Sequence, residues 1–255
     1  MSAPLGGAEA GEARPACANC GTELMGAFCH ACGQERGPGA VTLRALVAEV
    51  ADEVLSLDGR FVRTFRTLLF RPGVLTREYL AGHRVGYFSP FRLYLLVSAA
   101  HLALVAATGA TSFFFFTVSG SRGATGKAMA LLPRLMFVLL PLFALLLHVL
   151  HRRPRRMFVE HFVFALHFHT AAFIVATAHI LLVPLTTGAS ALRPAAIVLD
   201  AGVQLYLLAY LYRALRVVYG GSRTVACVKM ALLLAGYAAA LLLALVAHIR
   251  LLKYV

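Results

Sequence analysis

Residues 160–185 read EHFVFALHFHTAAFIVATAHILLVPL. A run of about 20 predominantly apolar residues is enough to cross the hydrocarbon of a bilayer as a helix. This one is long enough, yet it carries Glu160 at its start and four histidines: His161, His167, His169 and His179. Ionisable groups inside a span are costly and face protein or water instead of lipid. The stretch therefore predicts a helix surrounded by other helices.

The rest of the chain agrees with that reading. It is 60% hydrophobic and only 14% charged, whereas ordinary soluble domains carry roughly 25% charged residues. Further spans are predicted at about 90–107, 131–150, 194–211 and 228–249, which with 161–185 makes about five. The fold class is membrane all-α, preceded by a small zinc ribbon and amphipathic helices. Nine of the eleven acidic residues precede position 79, leaving only Glu160 and Asp200 in the apolar part. Net charge is +13, but the arginines lie between hydrophobic stretches, where the positive-inside rule accounts for them without nucleic acid. With the N-terminus inside, eighteen Lys and Arg fall on cytoplasmic segments and six outside, which predicts a C-terminus outside the cytoplasmic membrane. The first residues lack a basic stretch followed by an apolar one, so no cleavable signal peptide is expected.

Four of the five cysteines form CANCGTELMGAFCHACGQ, residues 17–34. Cys17-x2-Cys20 and Cys29-x2-Cys32, each followed by a glycine, set four sulfurs around one tetrahedral ion, the pattern of a structural zinc ribbon. Four protein ligands close the shell and leave no position for a substrate. Cys227 reads as a small packing residue. The predicted organisation is a disordered 1–16, a ribbon at 17–36, amphipathic helices at 42–88 and a membrane bundle at 89–255. In the amphipathic part, Leu43, Leu46, Val47, Val50, Val54 and Leu57 form one apolar stripe, and Phe61, Phe65 and Leu68 oppose Arg60, Arg63 and Arg66. Such helices lie among headgroups or pack on one another, and the pattern fits both. Phe113 to Phe116 read as the end of a long first span or as an interfacial aromatic patch.

Taken in order, the ribbon, YLAGHRVGYFSPFRLYLL at 79–96, EHFVFALHFHT at 160–170 and YLYRALRVVYGGS at 210–222 resemble a bacterial family of domains of unknown function. The resemblance implies a zinc ribbon followed by several spans. It carries no activity.

Candidate intramembrane polar groups are His101, Glu160, His167, His169, Asp200 and Gln204. At 100° per residue, Glu160 and His167 share one direction and His169 the opposite one, while His161 and His179 share a third about 27 Å apart. By depth, His101 and His169 both come near the midplane and are expected to be neighbours. Asp200 needs an offset for its insertion cost, for which Arg134 is the expected partner. The hairpin HRRPRRMFVEH brings Arg152, Arg153, Arg155 and Arg156 beside His148 and His151; guanidinium groups there suit anionic lipid more than a divalent cation. No phosphate loop, dinucleotide fingerprint, HExxH or GxSxG is present.

Three functions follow. The leading one is a non-enzymatic docking or regulatory protein of the inner membrane, with the ribbon meeting a cytoplasmic protein. A small transporter or channel is the alternative. An inner-leaflet lipid-modifying enzyme using His148, His151, Glu160, His161 and His167 is the third. The small residues Ala235 to Ala240 allow a homo-oligomer.

Overall fold

The computed structural model describes residues 15–36, 59–108, 112–113, 116–117, 138–152, 156–187 and 191–251. Its helices are α1 (Gly59–Phe70), α2 (Val74–Leu80), α3 (Pro90–Thr108), α4 (Val138–Leu150), α5 (Phe158–Thr187), α6 (Arg193–Tyr219) and α7 (Arg223–Leu251). Four of these, α3, α5, α6 and α7, are long and apolar enough to cross a membrane. The protein is a membrane all-α fold. The expected second span is described only as α4, about 20 Å of helix; the remainder of 131–150 lies outside the described residues, as do residues 1–14 and the stripe from Leu43 to Leu57.

The histidine-bearing stretch is the axis of the bundle. Every residue of α5 from His161 to Phe173 is buried, so this helix is apolar all round because protein surrounds it. Antiparallel to it, α4 packs through Phe143, whose ring stacks on Phe168 at 5.2 Å, and α6 packs through a stripe of Leu207, Tyr210, Leu211, Ala214, Leu215 and Val218. Tyr94 against Phe173 and His101 against Thr177 show α3 running parallel to α5. Turning at Gly220, Gly221 and Ser222, the chain enters α7, which meets α4 where Leu146 faces Gly236. Thus α3, α5 and α7 point one way and α4 and α6 the other. The α4–α5 and α6–α7 turns share one end of the bundle.

Large apolar side chains remain exposed on the outer faces, including Val198, Leu199 and Leu205 of α6 and Leu232, Leu242 and Leu243 of α7. Water would penalise such a surface; a bilayer solvates it.

Helices α1 and α2 are packed on the bundle. Leu68, Leu75 and Tyr79 are buried, and Phe61 and Phe65 lie against the same core, while Arg63 and Arg66 are exposed and Arg60 half-buried. Their turn at Pro72 and Gly73 meets α6: Gly73 has φ +79°, and a Cβ there would stand 2.9 Å from the Ala214 Cα and carbonyl oxygen. Beside the turn, the Tyr206 hydroxyl donates to the Leu69 carbonyl.

The aromatic segment does not extend the first span. Helix α3 ends at Thr108, and β1 (Ser112–Phe113) pairs antiparallel with β2 (Phe116–Thr117), a reversal incompatible with a continued helix.

Candidate functional site

In residues 15–36 one backbone pattern occurs twice. The Gly21 amide donates to the Cys17 carbonyl and the Gly33 amide to the Cys29 carbonyl, and the Cys17 and Cys29 amides donate to Thr22 and Gln34. Gly21 and Gly33 have φ of +76° and +73°, the left-handed conformation that a glycine adopts without steric cost. The two knuckles bring all four thiol sulfurs within 4.8 Å of one another, with Cys17 to Cys32 at 3.7 Å and Cys20 to Cys29 at 3.5 Å. A tetrahedral ion with metal–sulfur bonds of about 2.3 Å sets its sulfurs about 3.8 Å apart. The four cysteines can therefore bind a metal, and they are the one group of three or more candidate metal ligands among the described residues.

The thiols are poised unequally. The Thr22 hydroxyl, 3.3 Å from the Cys20 sulfur, and the Thr22 amide lower Cys20 to about 6. At Cys32 the Gln34 amide lowers the value, but desolvation and the neighbouring Cys20 and Cys17 sulfurs outweigh it and push the thiol up to about 11. Crowded thiols resist ionising together. A bound cation removes that conflict.

This head is keyed onto the loop between α2 and α3. The Gln34 side chain donates to the Gly82 carbonyl at 2.9 Å and accepts from the Arg84 amide at 3.3 Å. Gly82 has φ +94°, and a Cβ there would lie 2.8 Å from that of Ala18. Gln34→Ala removes two hydrogen bonds worth about 1 kcal/mol each and frees the ribbon without touching a ligand. The expected result is faster proteolysis of the 81–84 loop at unchanged metal content, read by limited proteolysis beside elemental analysis.

The same loop is tied back by Glu78, whose carboxylate meets His83 Nδ1 at 2.6 Å. The His83 hydrogen bond, followed by the charges of His83 and Arg77, holds Glu78 below its ordinary value of 4.5. A carboxyl depressed in the folded state contributes stability above its unfolded pKa and loses it as pH falls through the folded one. The difference in melting temperature between wild type and Glu78→Gln is expected to be full near pH 6 and to shrink steadily below about pH 4.5.

Residues 58–101 match a family model described as "Protein of unknown function (DUF3667)". The match covers α1, α2, the loop that receives the ribbon, and α3 as far as His101. No curated protein and no solved structure matches the chain.

Within the bundle the histidines radiate from α5 to different neighbours. His161 Nδ1 meets the Tyr219 hydroxyl of α6 at 2.8 Å, and His167 Nδ1 meets the Thr76 hydroxyl of α2 at 2.9 Å. His169 donates from Nδ1 to the Ala165 carbonyl and receives the Tyr237 hydroxyl of α7 at Nε2, which fixes its tautomer and satisfies both nitrogens. His179 Nδ1 lies 2.7 Å from the Asp200 carboxylate.

Several sequence expectations are corrected here. His101 and His169 are not neighbours: His101 bonds Thr177, about 12 Å further along α5 than His169. Glu160 and His167 have separate partners: Arg156 lies 3.5 Å from Glu160 at the bundle mouth, while His167 turns to Thr76 of α2 deeper in. Asp200 meets His179, while its expected partner Arg134 lies outside the described residues and that expectation stands neither met nor overturned. Half-buried Gln204 sits one turn along α6 from Asp200. Cys227 is exposed on α7 and fills no internal gap.

Other partners escaped the sequence. Tyr219 is the hub of the end where the α4–α5 and α6–α7 turns meet: His151 stacks on its ring at 4.0 Å, His161 lies against it at 5.5 Å, and the Arg156 guanidinium stands over it at 5.2 Å. Only its place beside a Gly-Gly turn hinted at this. Arg152 is exposed nearby, whereas Arg153 and Arg155 lie outside the described residues. Among the described residues, five imidazoles keep a buried ring nitrogen without a hydrogen-bond partner: Nε2 of His101, His161, His167 and His179, and Nδ1 of His148. Each such group costs about 1–3 kcal/mol if nothing occupies it.

Proposed function

We propose that the chain is a multi-pass protein of the bacterial cytoplasmic membrane whose ribbon binds one structural zinc ion and docks a cytoplasmic protein, with the bundle as a non-enzymatic scaffold. The observation that carries this reading is the two-sidedness of the ribbon. Its Ala18 and Gln34 side faces the Gly82 loop, while Met25 and Phe28, 73% and 63% exposed, stand free. Two large apolar side chains on a rigid, closed metal module offer an anchor pair for a partner. Zinc is the ion that four thiolates in a tetrahedron suit best.

The bacterial family assignment rests on the ordered ribbon and membrane motifs together with the match at residues 58–101. Orientation rests on charge. Arg152, Arg156, Arg216 and Arg223 fall at the end of the bundle that carries the α4–α5 and α6–α7 turns, so the positive-inside rule puts that end in the cytoplasm and the C-terminus outside. Arg60, Arg63, Arg66, Arg152 and Arg156 then reach anionic headgroups of the inner leaflet.

A photo-crosslinking residue at Phe28 tests the docking reading in cells. We expect one protein adduct of defined mass, lost when Cys17 and Cys20 are both serine, and crosslinks only within the chain when the probe stands at Ala18. Adducts to lipid alone from Phe28 contradict docking.

Transport is the second reading, favoured by one observation, the half-buried His179 and Asp200 pair within candidate spans. It predicts that Asp200→Asn abolishes function while Phe28 substitutions are silent; docking predicts the reverse.

A further inference from the structure

Helix α1 meets the bundle below the level at which the charges of α6 stop. Arg193 and Arg213 are both exposed on α6 and stand about 30 Å apart along it, the thickness of a hydrocarbon layer. Between them the one charged residue is Asp200, which meets His179. Arg213 therefore marks the edge of that layer on the side of the α6–α7 turn. Tyr206 lies about 10 Å inside this edge along α6, and its hydroxyl donates to the Leu69 carbonyl in the last turn of α1. The chain then returns toward the edge, where Gly73 rests on Ala214, the neighbour of Arg213.

The Leu69 bond is what hydrocarbon demands. The last carbonyls of a helix have no partner within it, and water meets that need at a surface; inside a bilayer protein must supply the donor, as Tyr206 does. The outer face of α1 suits the same surroundings. Phe70 is 76% and Val62 67% exposed, and at 100° per residue they lie about 80° apart with Arg66 between them. Arg63, Arg66 and Arg71 are exposed beside them, and side chains of that length lay their stems on acyl chains while the guanidinium reaches back to the phosphates. Leu205 and Leu208 of α6, exposed beside Tyr206, continue the apolar surface.

We propose that α1 is embedded in one leaflet of the bilayer, on the side of the α6–α7 turn, with Phe70 and Val62 among the acyl chains and Arg63, Arg66 and Arg71 at the phosphates. Lipid is the occupant of this face because the face is continuous with the lipid-facing side of α6 and its helix end sits below the charged edge. The inference rests on the membrane fold and is independent of what the ribbon docks.

The chain contains no tryptophan, so a single introduced indole reports its own surroundings. The purified full-length chain is placed in phosphatidylcholine vesicles whose acyl chains are brominated either near the headgroup or at the tail end, and iodide is the quencher in water. Phe70→Trp is expected to emit to the blue, to lose most of its emission to bromine near the headgroup and less to bromine at the tail end, and to ignore iodide. Leu205→Trp, on the lipid face of α6, should also answer to bromine, whereas Phe28→Trp, on the ribbon, should answer to iodide alone. Val62→Trp reads the same face of α1 should the Phe70 variant not fold, and circular dichroism checks each chain. Quenching of a folded Phe70→Trp or Val62→Trp chain by iodide and not by bromine puts the face in water and overturns the proposal. Protection from both quenchers means that protein, such as a second copy of the chain, covers the face, and overturns it equally.

Discussion

Replacing Cys17 and Cys20 by serine is expected to unfold residues 15–36 while leaving α3 to α7 intact. The ribbon buries only Cys17, Leu24 and Cys29, with Cys32 packed against them, so its core is largely its own four-cysteine cluster. A module this small has too little apolar area to offset the entropy of ordering its chain. In small structural zinc sites, metal binding supplies an apparent 10–16 kcal/mol, and binding energy is folding energy. On the proposed zinc reading, the hydrogen bonds that repeat across the two knuckles would lose, with two sulfurs gone, the ion that ties the knuckles together. Hydrogen exchange should show the Cys17, Gly21, Cys29 and Gly33 amides losing protection and those of α5 retaining it. Retained protection at the four knuckle amides would show that the ribbon stands without metal.

The second large effect is expected at Gly73. Its φ of +79° is a conformation that costs a residue with a Cβ about 1–2 kcal/mol, and that Cβ would also meet the Ala214 backbone at 2.9 Å and the Val217 Cβ at 3.0 Å. Backbone cannot rotate away as a flexible side chain can, so the overpacking cost of about 1–3 kcal/mol adds to the strain. Gly73→Ala should therefore destabilise by about 2–5 kcal/mol, enough to unseat the α1–α2 turn from α6. With it go the Thr76 contact to His167 and the Tyr206 contact to Leu69. Gly202 of α6 supplies the comparison: nothing lies within 4 Å of a Cβ there, so Gly202→Ala should be neutral or mildly stabilising. Thermal unfolding of both variants in one detergent measures the difference.

The four-cysteine cluster and the apolar spans were legible because their signals are local. Two CxxC units eight residues apart state a tetrahedron in the chain itself, and long apolar runs state a bilayer. Even the end-to-end order of the bundle follows from short turns, since a chain that reverses at Gly220 and Gly221 must return beside itself. What stayed hidden is helix rotation. Which neighbour His167 or His101 meets depends on how helices distant in sequence are turned about their axes, and no run of residues encodes that alone. Asp200 shows the same limit: depth pointed to Arg134, which lies outside the described residues, and the contact present is with His179. Helix α1 was ambiguous for another reason. An arginine face opposite a phenylalanine face fits a headgroup layer and a helix partner alike, and it takes the burial of Leu68 and the contact of Tyr206 with Leu69 to show that the apolar face packs on the bundle while Arg63 and Arg66 stay exposed.

Elemental analysis of the purified, membrane-extracted chain is the most direct measurement of the central claim. One zinc per chain in wild type, none in Cys17→Ser/Cys20→Ser, and an unchanged value in His148→Ala/His151→Ala is the predicted result. A metal that survives loss of the cysteines, or wild-type protein that is folded in its ribbon and free of metal, would contradict it.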